Sequence, residues 1–406
     1  MEYIDLDHNP RDEVICRFYV EPNNISLEDA CSHIAGESSI GTWTELSTMK
    51  PEIAGKLKPH VYSLDQESGL VDISYPVDLF EPGNMPQILS SIAGNIYGMK
   101  AVENLRLVDF SFPSSLAESF MGPRYGIEGV REILGVVDRP LIGTIVKPKV
   151  GLSSREHSEV AYNSWVGGCD IVKDDENLTN QEFNPFQDRI IATLEARDAA
   201  QDETGERKIY MPNVTAESNE MTERAEFVKG EGGRYVMVDI VTSGFSAVQT
   251  LRGLDSDLVL HAHRAMHAAL TRNKRHGLSM KALAKMARFV GVDQLHIGTV
   301  VGKMEGDREE VEDIKNAITE ELYGIKPVFP VCSGGLHPGS ISELVSILGQ
   351  DIIIQAGGGV HGHPDGTKAG AKALRQSLDA VMQKVSLKEY ALSHPELSRA
   401  LEKWVS

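Results

Sequence analysis

Residues 140–177 read PLIGTIVKPKVGLSSREHSEVAYNSWVGGCDIVKDDEN. An apolar run ends in two lysines, a segment with helical spacing follows, and a second apolar run ends in one lysine and three acids. The unit is strand, helix, strand. The same rhythm continues from Arg139 onward through the runs PLIGTIVK, CDIVK, KIYMPN, YVMVDIV, LVLHAH, QLHIGT, PVFPVCS and DIIIQAG, with helical patterns such as PFQDRIIATLEARDAA and AGAKALRQSLDAVMQ between them. Eight short strands alternating with helices over about 250 residues predict a closed (β/α)8 TIM barrel. An open doubly wound sheet is the competing arrangement, but it usually carries GxGxxG after its first strand, and that motif is absent here.

The residues before the barrel follow a different pattern. VICRFYV reads as a strand, SLEDACSHIAGES as a helix with an N-cap serine, HVYSLD and GLVDISYPV as a hairpin, MPQILSSIAGNIYG as a helix and AVENLRLVDFSFP as a strand. That order predicts a ferredoxin-like α+β layer. The expected organisation is α/β: a smaller ferredoxin-like domain at residues 1–120, then the barrel with a terminal helix, YALSHPELSRALEKWV, at residues 121–406.

Composition narrows the functional classes. A chain of 406 residues exceeds one ordinary core, and 41% hydrophobic with 24% charged residues is a globular balance. The net charge of -19 argues against nucleic-acid or anionic-membrane partners, while leaving room for a local basic pocket that binds a phosphorylated small molecule. No apolar run reaches the eighteen or so residues of a transmembrane helix. The opening MEYIDLDHNPRDEV resembles neither a signal nor a transit peptide, so a cytoplasmic location is expected. Cys16, Cys31, Cys169 and Cys332 form no CxxC pair and read as buried reduced thiols.

Barrel active sites form at the carboxyl ends of the strands, and here nearly every end is polar. They are Lys147-Pro148-Lys149, Lys173-Asp174-Asp175-Glu176, the region of Asn213, His261-Ala262-His263-Arg264 with His267 beyond, His296, Ser333-Gly334-Gly335 and Gly357-Gly358-Gly359. Asp175 and Glu176 suit a hard cation with oxygen ligands, Mg²⁺ first; a solvated acidic loop is the other reading of DDE alone. Lys173 favours the metal, because a partly buried lysine that loses its proton adds CO2, and the carbamate is a third anionic oxygen ligand. Lys147 and Lys149 lie two residues apart, on one side of an extended segment stiffened by Pro148. Side by side they suit acid–base work; a pair of solvated lysines is the alternative. SGGLHPG and AGGGVHGHPDG offer bare backbone N–H groups to a phosphate at the usual barrel location, although ordinary turns use the same residues. His263, Arg264 and His296 suit a second phosphate, although either histidine taken alone reads better as a core residue. Residues 298–307, GTVVGKMEGD, carry Lys303 between glycines, either as a lid that delivers one cation or as a surface loop.

These residues together resemble the large subunit of ribulose-1,5-bisphosphate carboxylase/oxygenase (Rubisco). GGCDIVKDDEN is similar to the family's carbamylation motif, KPKVG to its strand 1 motif, HAHRAMHA to its strand 5 motif and GTVVGKMEG to its loop 6; GESSIGTWTEL and SIAGNIYGMK match before the barrel. The motifs ENLT, TRNKRHG, GGLHPG, GHPDG and the ending ALEKW look closest to the archaeal form III branch. The resemblance implies CO2 addition to ribulose 1,5-bisphosphate through an enediolate, giving two 3-phosphoglycerates, with an oxygenase side reaction on O2. It implies Lys173 as the carbamylated lysine, holding Mg²⁺ with Asp175 and Glu176, and Lys147 as the acid–base lysine with Lys149 beside it. Lys303 would close over the added CO2, held by Glu37. Thr42, Trp43, Gly335, Gly357 and Gly358 would hold one phosphate, with Gly334 beside them. Arg264, His296 and Ser333 would hold the other phosphate or its neighbouring hydroxyls, His263 would contact the sugar backbone, and Asn95 would approach metal and substrate. Glu37, Thr42, Trp43 and Asn95 would be supplied by the partner subunit, so a homodimer or a ring of dimers is expected, without a small subunit. The chain departs from the family pattern in a shorter segment from Lys303 to Ser333, and in ending soon after Trp404, without the long tail that latches loop 6 in plant-type enzymes. Relatives that act as sugar-phosphate enolases or isomerases commonly replace the loop 6 lysine or the phosphate contacts. Their presence here favours the carboxylase over that reading and over a non-catalytic sugar-phosphate scaffold.

Overall fold

The computed structural model describes residues 2–42, 44, 46–254, 256–301 and 308–405. The chain divides into two compact units. One comprises Met1–Met121, Met266–Val290 and Leu322–Ile325; the other comprises Gly122–Ala265, Gly291–Glu321 and Lys326–Ser406.

In the first unit, strand β1 (Glu13–Pro22) buries Val14, Cys16, Phe18 and Val20, the alternation of a sheet covered on one face. Strands β2 (His60–Leu64), β3 (Leu70–Pro76) and β4 (Val102–Ser111) complete the layer. β1 pairs antiparallel with both β3 and β4, and β2 with β3. With helices Leu27–Glu37 and Met85–Ile92 in the two crossovers, this is the ferredoxin-like arrangement expected. Ser26 caps the first helix by accepting from the Asp29 N–H at 3.0 Å, worth about 1 kcal/mol. Helix Pro51–Leu57 opens on a proline whose missing N–H costs nothing there.

The second unit is the barrel. Its strands are β5 (Leu141–Ile145), β6 (Ile171–Lys173), β7 (Ile209–Met211), β8 (Tyr235–Asp239) and β9 (Val259–His263). The two-residue β10 (Gly277–Leu278) intervenes in sequence but belongs to the first unit, where it pairs in parallel with β4. The barrel resumes with β11 (Gln294–Gly298), β12 (Phe329–Ser333) and β13 (Ile353–Gln355). Neighbours run parallel in the order β7-β6-β5-β13-β12-β11-β9-β8. The ring completes just past β7, where Asn213 bridges Met237 of β8 and the Val214 N–H donates to the Met237 carbonyl at 3.0 Å. All eight apolar runs form strands. Leu141, Ile171, Ile209, Tyr235, Val259, Phe329 and Ile353, one from each of seven strands, meet in a single buried cluster, so the barrel is filled rather than hollow.

Helices Gly126–Leu134 and Phe245–Gly253 are additions to the sequence reading. The terminal helix is two helices, Leu387–Ala391 and Pro395–Trp404. Pro395 removes an N–H and pushes His394 out of helical geometry, to φ -127° and ψ 88°. All four cysteines are free and buried. Among the described residues, no helix is long and apolar enough to cross a membrane.

Candidate active site

Lys173 is the last residue of β6, paired with Ile145 on one side and Met211 on the other. It is 2% exposed. Its Nζ donates to the Asp174 carbonyl at 2.8 Å and lies 3.1 Å from Met237 Sδ. Burial pulls its pKa below the ordinary lysine value, against the opposing pull of Glu176, Asp175, Asp239 and Asp174. The neutral amine, the form that adds CO2, is thereby favoured.

The three acids after Lys173 divide their work. Asp174 turns into the protein, where it accepts from Arg189 Nε at 3.1 Å, Tyr210 Oη at 2.8 Å and the Asn213 N–H at 3.0 Å. Burial opposes its ionisation, but Arg189 and then His157 hold the carboxyl well below the usual range, so Asp174 anchors the turn. Asp175 and Glu176 face the lysines from β5 and the histidine from β9. Lys147 Nζ donates to Asp175 Oδ2 at 2.7 Å, Lys149 Nζ to Glu176 Oε1 at 3.4 Å, and His263 Nε2 lies 3.8 Å from Glu176 Oε2. Burial alone would raise the Glu176 carboxyl; His263, Lys173 and Lys149 bring it down to about 2. Asn213 Nδ2 donates to the Glu176 carbonyl at 3.2 Å and fixes the acidic turn from β7.

This cluster fits the metal that the sequence suggests. Two carboxylates converge on cationic side chains, and Lys173 between them becomes an oxygen donor once carbamylated. An all-oxygen set of this kind suits Mg²⁺, and an ion there would take over the neutralising role that Lys147, Lys149 and His263 fill in this structure.

Across the mouth, His263 Nδ1 donates to Asp239 Oδ1 of β8 at 2.7 Å. Arg264 Nε donates to His296 Nδ1 at 3.1 Å. Burial, with Arg264 next, keeps the His296 imidazole well below its ordinary pKa, and burial brings the Arg264 guanidinium down to about 10. Gly298 makes the arrangement possible: it sits at φ 97°, and a Cβ there would lie 2.7 Å from Arg264 Nη2. At the ends of β12 and β13, Ser333 pairs with Gln355, which sets Ser333-Gly334-Gly335 beside Gly357-Gly358. A Cβ on Gly357 would stand 3.2 Å from Lys147 Cε, so the glycine-rich exit adjoins Lys147.

The structure thus brings together Lys147, Lys149, Lys173, Asp175, Glu176 and His263, places Arg264 on His296, and sets the two glycine-rich exits side by side. In the first unit, Glu37 ends helix Leu27–Glu37 and accepts from Asn95 Nδ2 at 3.4 Å; Thr42 is exposed. Trp43 and Lys303 lie outside the described residues. His261 points into the barrel core, 3.2 Å from Gln294, and His267 lies in the first unit against Thr271 at 3.0 Å.

Asp239 escaped the sequence reading. Its only signal was an acid closing the apolar run YVMVD. Because it fixes the tautomer and direction of His263, Asp239→Asn is expected to lower kcat/KM by roughly ten- to a hundred-fold, the loss of one charge-assisted hydrogen bond. Steady-state kinetics checks this, with an altered pH profile separating a positioning role from lost stability.

Comparison with known proteins bears on this site. Two family profiles match: the ribulose bisphosphate carboxylase large chain N-terminal domain over residues 2–116, and the catalytic domain of the same large chain over residues 126–404. The ribulose bisphosphate carboxylase of Methanocaldococcus jannaschii is 54% identical, with 100% of each chain covered. That of Pyrococcus furiosus is 52% identical over 100% of this chain and 97% of its own. Among solved structures, an octameric Rubisco from Pyrococcus horikoshii OT3 in complex with sulfate ion superposes with a TM-score of 0.96 at 50% identity, covering 99% of this chain and 96% of that one. A dimeric archaeal Rubisco from Hyperthermus butylicus gives 0.94 at 48% identity, covering 99% and 98%. With both domains matched and about half of all positions shared along the whole length, the chain belongs to the ribulose bisphosphate carboxylase large-chain family.

Proposed function

We propose that the chain is a ribulose-1,5-bisphosphate carboxylase, a carbon–carbon lyase of the cytoplasm, in which residues 1–120 and 121–406 act as ferredoxin-like and barrel domains. The observation that carries the reading is the exit of β6, where a buried Lys173 amine precedes Asp175 and Glu176 and Lys147 reaches Asp175 at 2.7 Å. Lys173, carbamylated by CO2, would hold Mg²⁺ with Asp175 and Glu176, and the ion would supply Lewis-acid polarisation of substrate oxygens.

The chain's own groups do the rest. Gly334, Gly335, Gly357 and Gly358 present backbone N–H groups to one phosphate, together with Thr42 and Trp43. Arg264 and Ser333 bind the second phosphate end, and the neutral His296 ring donates or accepts toward a neighbouring hydroxyl. Lys149 lines the site beside Lys147. His263, aimed by Asp239, orients the sugar backbone. Lys147 Nζ, held by Asp175, is positioned to donate a proton to the carbanion left when the carbon–carbon bond breaks. Lys303, supported by Glu37, stabilises the carboxylate formed from CO2, and Asn95 contacts the substrate beside it. The substrate carbon that attacks CO2 also meets O2, the origin of an oxygenase side activity.

Incubation with ribulose bisphosphate, labelled bicarbonate and Mg²⁺ tests the reading. Two 3-phosphoglycerates, one labelled, are expected; an isomerised sugar phosphate without label would make the chain an enolase or isomerase. The assembly is a homodimer or a ring of dimers with sites shared between subunits. Mixing Glu37→Gln with Lys173→Ala subunits is therefore expected to restore about a quarter of wild-type activity, because half of randomly paired dimers are mixed and each of those has one intact site. No recovery after verified subunit exchange would place all four N-terminal residues in the same chain's site.

A further inference from the structure

We propose that Asp5, His8 and His60 form a binding site for one Zn²⁺ ion in the N-terminal unit. The backbone assembles the site before any ion enters. Ile4 bridges Val61 in parallel, the Val61 N–H donates to the Tyr3 carbonyl at 2.9 Å, and the Asp5 N–H donates to the Val61 carbonyl at 3.0 Å. The first residues thus lie along β2 and set Asp5 beside His60. A turn closed by the His8 N–H on the Asp5 carbonyl at 3.1 Å then brings His8 back over the same spot.

The side chains complete it. One potential ligand atom from each of the three residues lies within 4.8 Å of the other two. Asp5 Oδ2 and His60 Nδ1 are 3.1 Å apart, a separation bridged by one proton that a metal ion can replace. The His8 and His60 rings stack at 4.0 Å with only 5° between their planes. Glu13 Oε2 takes His8 Nε2 at 2.8 Å, which leaves Nδ1 as the ligand and makes Glu13 the outer carboxylate that orients a metal-bound imidazole. The side chains are 19% exposed at His60, 21% at His8 and 41% at Asp5, so ions can enter and a water can take the fourth position. Binding requires the parallel rings to open until both planes contain the ion.

Two imidazoles and one carboxylate define the class of ion. The set suits Zn²⁺ and is poor for Mg²⁺, which takes oxygen ligands. Nothing in the proposed carboxylase chemistry uses these residues. The expected consequence is structural, a clamp that holds the N-terminal segment on β2.

The test is Zn²⁺ titration calorimetry on the intact, EDTA-stripped assembly in saturating Mg²⁺. One Zn²⁺ per chain is expected, with a rise in Tm. His60→Gln and His8→Gln should each weaken binding by about ten-fold or more, and Glu13→Gln by about ten-fold. Carboxylase turnover in Mg²⁺ should be unchanged in all three. X-ray absorption of the wild-type Zn²⁺ form should show two imidazole nitrogens, a measurement independent of how the variants fold. No binding by the wild type, wild-type affinity in either histidine variant, or fewer than two imidazoles would overturn the proposal.

Discussion

Lys173→Ala is expected to abolish carboxylation, by about 10³-fold or more, the consequence of losing several kcal/mol of charge stabilisation on the substrate. Two physical effects act together. The exit of β6 loses the one side chain that CO2 can convert into an oxygen ligand, leaving Asp175 and Glu176 alone. It also loses the basic side chain that faces Glu176, Asp175, Asp239 and Asp174. Stability should not follow activity, because burial already disfavours the charged form of a side chain that is 2% exposed, so alanine removes a desolvation cost more than an ion pair. Lys173→Arg separates the two effects. It keeps a positive charge at the strand end, but a guanidinium stays protonated and cannot form the carbamate. Both variants should therefore be inactive in labelled CO2 fixation while keeping the wild-type Tm to within a few degrees. An active arginine variant would mean that Lys173 serves only as a counter-charge.

The barrel was legible because its strands are largely buried on both faces. The runs from PLIGTIVK to DIIIQAG are predominantly apolar, and most end in polar or glycine residues at the site. That abrupt change from apolar to polar exposed most of the site as well. Two kinds of feature stayed hidden. The first depends on neighbours in the ring: Asp239 closes an ordinary strand, and its hold on His263 follows from the parallel pairing of β8 with β9. Asn213 was noticed as a strand end, but its grip on the acidic turn follows only from β7 lying next to β6. The second kind is too short to carry a period. β10 has two residues, and its partner β4 lies far back in the chain. The break before Pro395, by contrast, is readable: SHPEL places a proline where a continuous helix needs an N–H.

Lys303→Ala is expected to divide the reaction. Exchange of the substrate C3 proton with solvent should persist, while carboxylation falls by roughly 10²–10³-fold, the loss of about 3–4 kcal/mol when one oxyanion donor is removed. The division follows from which groups are already assembled. Among the described residues, Lys147 pairs with Asp175, His263 pairs with Asp239 and faces Glu176, and Lys173 lies at the end of β6 beside them, all at the exits of β5, β6, β8 and β9. In the proposed mechanism, enolization draws on these residues. The carboxylate on the substrate exists only after CO2 has added, so a cation that meets it acts on the later step alone. Removing such a cation should lower kcat and kcat/KM together. NMR-monitored deuterium exchange and labelled CO2 fixation on one preparation read the two steps side by side. Equal loss of both would assign Lys303 to proton abstraction or to folding. If neither is lost, the residue is an ordinary surface lysine, the short segment between Lys303 and Ser333 has dispensed with its use, and the balance shifts toward a sugar-phosphate enolase built on the same barrel.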